Sequence, residues 1–292
     1  MKQNLPDFIE SECSRRNEDQ SLFHVIPVPL EASVSYGTGT AKGPAAILDA
    51  SLQLEAWDGN SIPAESGIHT TPVVDCTGTI DSTLDLIQAR VGKSLAAGAI
   101  PVILGGEHTV TLGALRAVRS ILKKPFGVVQ LDAHADLRDE YEGEPFSHAC
   151  VMRRAVETLD IPLFQIGVRA MCMEEYHARD RFGVRYLDAR TLYESGIPLQ
   201  VLPQDFPTDI YLTLDVDGLD PSLIRATGTP VPGGILWYDA LTLIERCLYG
   251  RRLAGFDVVE LAPQPGDHAS DFAAAHLVYS VMGMAIRQTV AK

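Results

Sequence analysis

Phe126-Gly127-Val128-Val129-Gln130-Leu131-Asp132-Ala133-His134-Ala135-Asp136 is the stretch that decides how this chain is read. Its first six residues are mostly apolar and too few for a helix, so they read as a short strand buried on both faces. The next five carry an acid, an imidazole and an acid at every second position. Alternate residues of an extended segment share a face. Asp132, His134 and Asp136 are therefore expected side by side at the carboxyl end of that strand.

Working outward, similar runs occupy Phe23–Val28, Pro101–Leu104, Leu163–Val168, Gly183–Leu187, Ile210–Val216 and Gly255–Leu261, with Thr71–Val74 weaker. Between them the apolar spacing predicts helices over Asp81–Ala97, Thr111–Leu122, Ala149–Leu159, Met171–Phe182, Trp237–Tyr249 and Asp271–Val290. Buried strands alternating with helices imply an α/β fold with a parallel sheet between two helical layers. Other strands end as the first one does. Leu104 is followed by Gly105-Gly106-Glu107-His108, Leu214 by Asp215-Val216-Asp217, and Val259 by Glu260. Ligand sites of open α/β sheets lie beyond the carboxyl ends of their strands, so these groups are expected to converge.

The 292 residues include 38 acidic and 24 basic side chains, a formal net charge of −14. No basic block is present, which excludes a nucleic-acid or anionic-membrane binder and permits a cationic substrate. Cys13, Cys76, Cys150, Cys172 and Cys247 are scattered and odd in number, which points to a reducing, cytoplasmic setting rather than a disulfide framework. The first residues lack an apolar signal core, and the run Ala96–Leu104 falls well short of the ~20 residues that span a bilayer. Residues 1–20 are polar and are expected to form an arm outside the core, with 21–292 as a single domain.

The expected cluster holds two imidazoles, His108 and His134, and four carboxylates, Asp132, Asp136, Asp215 and Asp217. So many carboxylates cannot share a partly buried site without neutralisation. Two divalent cations would supply it and would acidify a shared water for hydrolysis. Imidazole and carboxylate donors without thiolate favour manganese, although zinc, cobalt, nickel and iron use the same donors. Each residue alone has a plainer reading. A strand-end Asp is usually a turn residue, His148 a loop residue, and Glu260 a salt-bridge partner.

These motifs resemble those of the ureohydrolase family, which includes arginases, agmatinases, guanidinobutyrases and formimidoylglutamases. The resemblance rests on Leu104–His108 followed by Thr109-Val110-Thr111, on Val128–Asp136, and on Thr213–Pro221 continuing through Gly228–Gly234. Ser35–Ile47, Gln165–Arg169 and Phe256–Glu260 extend it over nearly the whole chain. It implies a three-layer α/β/α architecture around an eight-stranded, mainly parallel sheet, a binuclear manganese centre, and a homo-oligomer, trimer or hexamer. Carried over by residue, His108, Asp132, Asp136 and Asp215 would hold one ion, and Asp132, His134, Asp215 and Asp217 the other. Glu260 would bind the guanidinium with Thr229 nearby, Asp136 would move a proton at the reacting centre, and His148 would exchange protons with solvent. The activity implied is hydrolysis of a guanidino group to urea and an amine. A metal-binding relative without activity and a binuclear phosphoesterase are the competing classes. The complete donor set speaks against the first, and the acidic rim against the second.

The substrate is expected to be agmatine, giving putrescine and urea in polyamine biosynthesis. Arginase-like enzymes bind an α-carboxylate with the loop that here reads Leu137–Ser147. That loop carries Asp139, Glu140, Glu142 and Glu144 against Arg138, a balance that repels a carboxylate and tolerates an ammonium. Asp267-His268 also resembles agmatinases. Guanidinobutyrate, formimidoylglutamate and arginine remain alternatives. Arg225 stands where the family usually has Pro, and Glu107 where it commonly has Asp.

Overall fold

The computed structural model describes residues 5–290. Eight strands form one sheet: β1 (Phe23–Val28), β2 (Ile68–Thr70), β3 (Ile100–Gly105), β4 (Phe126–Leu131), β5 (Leu163–Ile166), β6 (Arg185–Leu187), β7 (Asp209–Asp215) and β8 (Arg252–Val259). Their order is β2-β1-β3-β8-β7-β4-β5-β6, and every neighbouring pair is parallel. Helices α1 (Gly43–Ser51), α2 (Ile80–Ala96), α3 (Val110–Ile121), α4 (Val151–Arg153), α5 (Met173–Phe182), α6 (Ala189–Ser195), α7 (Trp237–Leu248) and α8 (His268–Val290) connect or follow the strands.

The pleat divides the strand side chains between two cores. Val102 and Leu104 of β3, Val129 and Leu131 of β4, and Phe256 and Val258 of β8 pack on one face with α1, α7 and α8. Ile103, Phe126, Val128 and Val259 fill the other with Leu84 and Ile87 of α2 and Leu115 and Val118 of α3. This explains the near-continuous apolar runs, because neither face of a central strand meets water. The last helix, α8, is long and apolar enough to cross a bilayer by length and composition, but 67% of its most apolar window is buried inside the fold.

Three expectations are corrected. The second strand lies just upstream of Thr71–Val74, at Ile68–Thr70, because Pro72 cannot donate to the ladder. The stretch Ala149–Leu159 is not one regular helix. It runs from a 3₁₀ turn, His148–Cys150, through α4 into a π turn, Arg154–Thr158. The N–H groups of Met152 and Arg153 both donate to the Asp136 carbonyl, which ties the start of α4 to the site loop.

The described residues ahead of β1, 5–22, are not an arm outside the core. Phe8 and Ile9 are fully buried and Cys13 nearly so. The Phe8 N–H donates to Thr70 Oγ1 at 2.8 Å and the Ile9 N–H to Ser51 Oγ at 2.9 Å. Two apolar residues in a polar stretch suffice once such anchors exist, and composition averages conceal them.

Candidate active site

The carboxyl ends of β3, β8, β7 and β4, four adjacent central strands, supply His108, Glu260, Asp215 with Asp217, and Asp132 with His134 and Asp136. Consecutive β3 and β4 are separated by β8 and β7, so their connection opens the crevice in which a ligand can sit. His108 Nδ1 lies 2.9 Å from Asp136 Oδ2, 3.3 Å from Asp132 Oδ2 and 3.6 Å from Asp215 Oδ2. His134 Nδ1 lies 3.0 Å from Asp217 Oδ2 and 3.7 Å from Asp132 Oδ1. Asp132 thus stands between two groups able to hold a cation, His108-Asp132-Asp136 and Asp132-His134-Asp217.

The convergence is as expected, but simple strand alternation does not produce it. Asp217 lies on a 3₁₀ turn, Val216–Gly218, and its N–H donates to Asp215 Oδ1 at 2.9 Å. Asp136 adopts φ +52° and Glu260 φ +66°. Among the described residues only five non-glycine positions have positive φ, and two of them carry these carboxylates. Such backbone costs about 1–3 kcal/mol each and persists where surrounding contacts over-determine it. At Glu260 those contacts include its N–H donating to the Gly106 carbonyl at 2.8 Å.

Gly106 is required by close approach, since a Cβ there would stand 1.9 Å from the Leu30 carbonyl oxygen. Gly106→Ala should destabilise the protein by ~3 kcal/mol, read by chemical denaturation, and a loss under 1 kcal/mol would contradict this packing.

The orientation of His108 is fixed from behind. Asp257, wholly buried on β8, accepts hydrogen bonds from Thr213 Oγ1 at 2.6 Å, Thr111 Oγ1 at 2.9 Å and Tyr211 OH at 2.8 Å. The Thr213 hydroxyl has one proton and gives it to Asp257. Its 2.8 Å contact with His108 Nε2 therefore needs an imidazole N–H as donor. In the neutral ring Nδ1 is left with a lone pair, buried among carboxylate oxygens. Two hydrogen-bond acceptors facing one another without a proton between them is the arrangement a cation resolves, and the all nitrogen and oxygen set suits a hard or borderline divalent ion.

Electrostatics agree. Burial pushes the Asp132 carboxyl up to about 7, with Asp136 and Asp217 adding repulsion. Burial also holds Asp215 and Glu260 well above the usual carboxylate range. Burial opposes the charged form of His134, yet Asp217 and Asp132 outweigh it and raise the imidazole to about 10. Without an ion, Asp132 and Asp136 outweigh burial at His108 as well, so a proton on its ring takes the place of the missing positive charge.

Raised carboxyls weaken the fold as pH climbs from near 4 towards their folded pKa. Raised imidazoles lose their stabilising proton between about 6.5 and 10. Both trends run the same way, so protein stripped of metal should lose stability from pH 6 to pH 8. The gain in Tm on adding manganese should grow over that interval, as scanning calorimetry would show. A metal-induced gain that shrinks with pH would contradict this picture.

A cavity of about 310 Å³ opens above these groups, lined among others by His134, Asp136, His148, Glu175, Thr229 and Glu260. Glu260 Oε1 accepts the His108 backbone N–H at 2.6 Å. Thr229 Oγ1 lies 3.5 Å from Asp217 Oδ2.

One expectation about charge is corrected. None of Asp139, Glu140, Glu142 and Glu144 lines the cavity. Asp139 pairs with Arg154 at 2.5 Å, and Glu144 accepts the Phe146 N–H. The acids that do line it are Asp136, Glu175, Asp215, Asp217 and Glu260, against Arg138 alone among Lys and Arg. Arg225 does not face the cavity. It is 73% exposed and paired with Asp267 at 3.1 Å.

Several functional contacts were not foreseen. Glu175 accepts from the Leu137 and Cys172 N–H groups, which holds the site loop on α5. Arg169 donates to the carbonyls of Asp217, at 2.6 Å, and Val231. Glu107 accepts from four donors, namely the Ala32 and Ser33 N–H groups and the Ser33 and Thr109 hydroxyls. A signal was available for Thr213 and Asp257, which are paired in register on neighbouring strands beside the Asp215 motif.

Comparison with known proteins agrees with this geometry. Residues 21–283 match the arginase family. The chain is 38% identical to the N(1)-aminopropylagmatine ureohydrolase of Synechocystis over 285 residues, covering 94% of this chain and 92% of that one. It is 30% identical to the agmatinase of Pyrococcus horikoshii, covering 90% and 92%. The structure of an agmatine ureohydrolase of Thermoplasma volcanium superposes with a TM-score of 0.85 at 29% identity, covering 94% and 93%. With fold, motif order and near full-length similarity in accord, the chain belongs to the arginase family of ureohydrolases.

Proposed function

We propose that this protein hydrolyses the guanidino group of an agmatine-type substrate, an aliphatic guanidine whose far end is an amine, to urea and the free amine. Agmatine would give putrescine, a step of polyamine biosynthesis. The observation that carries the reading is the charge of the cavity once the proposed ion ligands Asp136, Asp215 and Asp217 are set aside, with Glu260 and Glu175 against Arg138. Such a lining attracts a substrate cationic at both ends and penalises one bearing a carboxylate. The relatives named for aminopropylagmatine favour admitting agmatine extended by an aminopropyl group. A cytoplasmic homo-oligomer, trimer or hexamer, belongs to the same proposal.

The residues divide the work as follows. His108, Asp132, Asp136 and Asp215 would hold one manganese ion, and Asp132, His134, Asp215 and Asp217 the other. When bound, the pair supplies a Lewis-acid centre at which water becomes nucleophilic at neutral pH. Glu260 binds the planar guanidinium by charge-assisted hydrogen bonds, and the His108 N–H holds its carboxylate in place. Thr229 borders the same space. The departing amine is a poor leaving group until protonated, and Asp136, which lines the cavity, takes up the proton that the attacking water loses and delivers it to that amine. His148 exchanges protons with solvent at the cavity wall.

Urea release from manganese-loaded protein should be measured on agmatine, N1-aminopropylagmatine, arginine, 4-guanidinobutyrate and formimidoylglutamate. One of the first two should exceed arginine in kcat/KM by ~100-fold or more, about 3 kcal/mol of discrimination. Preference for any carboxylate-bearing substrate would overturn the assignment.

A further inference from the structure

The Glu107 carboxylate sits beneath the 32–33 turn and accepts from the N–H groups of Ala32 at 2.6 Å and Ser33 at 2.7 Å. The Ser33 hydroxyl donates to Glu107 Oε1 at 2.9 Å, and Thr109 Oγ1 donates to the same oxygen at 2.8 Å. Ser33 Oγ also meets two groups of His148, the backbone N–H at 3.0 Å and ring Nδ1 at 3.2 Å. A serine hydroxyl has one proton and two lone pairs. The proton is committed to the acceptor-only carboxylate, so both contacts from His148 must be donors. Nδ1 then carries a hydrogen, and Nε2 makes no hydrogen bond among the described residues. The Tyr141 ring closes on the imidazole edge-on, with centroids 5.6 Å apart.

We propose that Glu107, acting through Ser33, locks His148 as its Nδ1–H tautomer and so presents Nε2 as the atom that exchanges protons across the cavity. Glu107 and Ser33 are positioning residues, and His148 is the group they orient. Neutral and protonated rings both keep the Nδ1–H contact with Ser33. A proton can therefore enter or leave at Nε2 without the ring turning. The longer side chain at Glu107 fits this arrangement, because it contacts the 32–33 turn and still reaches Thr109. The inference rests on the proton-exchange role assigned to His148 above.

The test combines a spectroscopic and a kinetic readout. In the full chain loaded with zinc, a closed-shell ion that leaves nearby ring signals sharp, nitrogen-15 long-range correlation should show the neutral His148 ring protonated at Nδ1. The signal is assigned by its loss in His148→Asn. Ser33→Ala should shift that ring towards the Nε2–H form. In the manganese enzyme it should lower kcat by ~10-fold, with KM and metal content within about twofold of wild type. Ser33→Thr, which keeps the hydroxyl, should restore both readouts. Unchanged tautomer and kcat in Ser33→Ala, with His148→Asn still impaired, would overturn the relay and leave the role of His148 standing. Wild-type kcat in His148→Asn would sink that role and the relay with it.

Discussion

Asp136→Asn should lower kcat by about 1,000-fold while KM for the guanidino substrate moves by less than about threefold, the pattern of an interaction made in the transition state. The substitution isolates charge from shape. Asn is isosteric with Asp and is one of the few residues that tolerate left-handed backbone, and position 136 has φ +52°. Its backbone carbonyl still accepts from Met152 and Arg153, so the start of α4 stays anchored. The carboxylate 2.9 Å from His108 Nδ1 becomes a neutral amide, which weakens one of the proposed ion sites and removes the group proposed to deliver a proton to the leaving amine. Steady-state kinetics should be paired with metal analysis of the same sample. A kcat within tenfold of wild type at full metal content would remove Asp136 from the proton path.

Glu260→Gln should have a comparable effect of different form. Gln keeps the size of the side chain but not the negative charge that pairs with a guanidinium. Loss of a buried charge-assisted pair costs roughly 2–5 kcal/mol, or about 30- to several-thousand-fold in kcat/KM, with much of it in KM. The same change should stabilise the metal-free protein. Burial first, then the nearby Glu107 charge, holds the Glu260 carboxyl well above its ordinary range. A raised carboxyl penalises folding above its unfolded pKa, and Gln removes that penalty at pH 7.5. Activity should fall as Tm rises, a trade common where a site holds strained or unneutralised groups. A variant that loses both activity and stability would show instead that Glu260 serves the fold.

Much of the architecture was legible because its signals are local. A six-residue apolar run cannot be a lone helix, and the strands from Phe126 and Ile210 fell where the periodicity placed them. The donor set was legible for the same reason, since Asp132, His134, Asp136, Asp215 and Asp217 cluster at strand ends in the chain itself. What failed was any inference that needed a partner from elsewhere. The acids of the 139–144 loop read as a substrate-facing rim, yet Asp139 is tied to Arg154 on a neighbouring turn. Arg225 read only as a departure from the family's Pro, and its pairing with Asp267 at the surface could not be foreseen. Phe8 and Ile9 read as part of a polar arm, because nothing nearby in the chain reveals the hydroxyls of Thr70 and Ser51 that dock them.

By itself the sequence determined the order of strands and helices, the imidazoles and carboxylates gathered at strand ends, and the family, because side-chain type and spacing mark each local segment and where it stops. Only the tertiary structure decided which atom of each group is free to act. The lone pair on His108 Nδ1 follows from Thr213 and Asp257, about a hundred and more residues downstream, and the proton on His148 Nδ1 from Ser33, 115 residues upstream. Hydrogen-bond direction depends on which partners lose water together, and that is settled when distant segments pack.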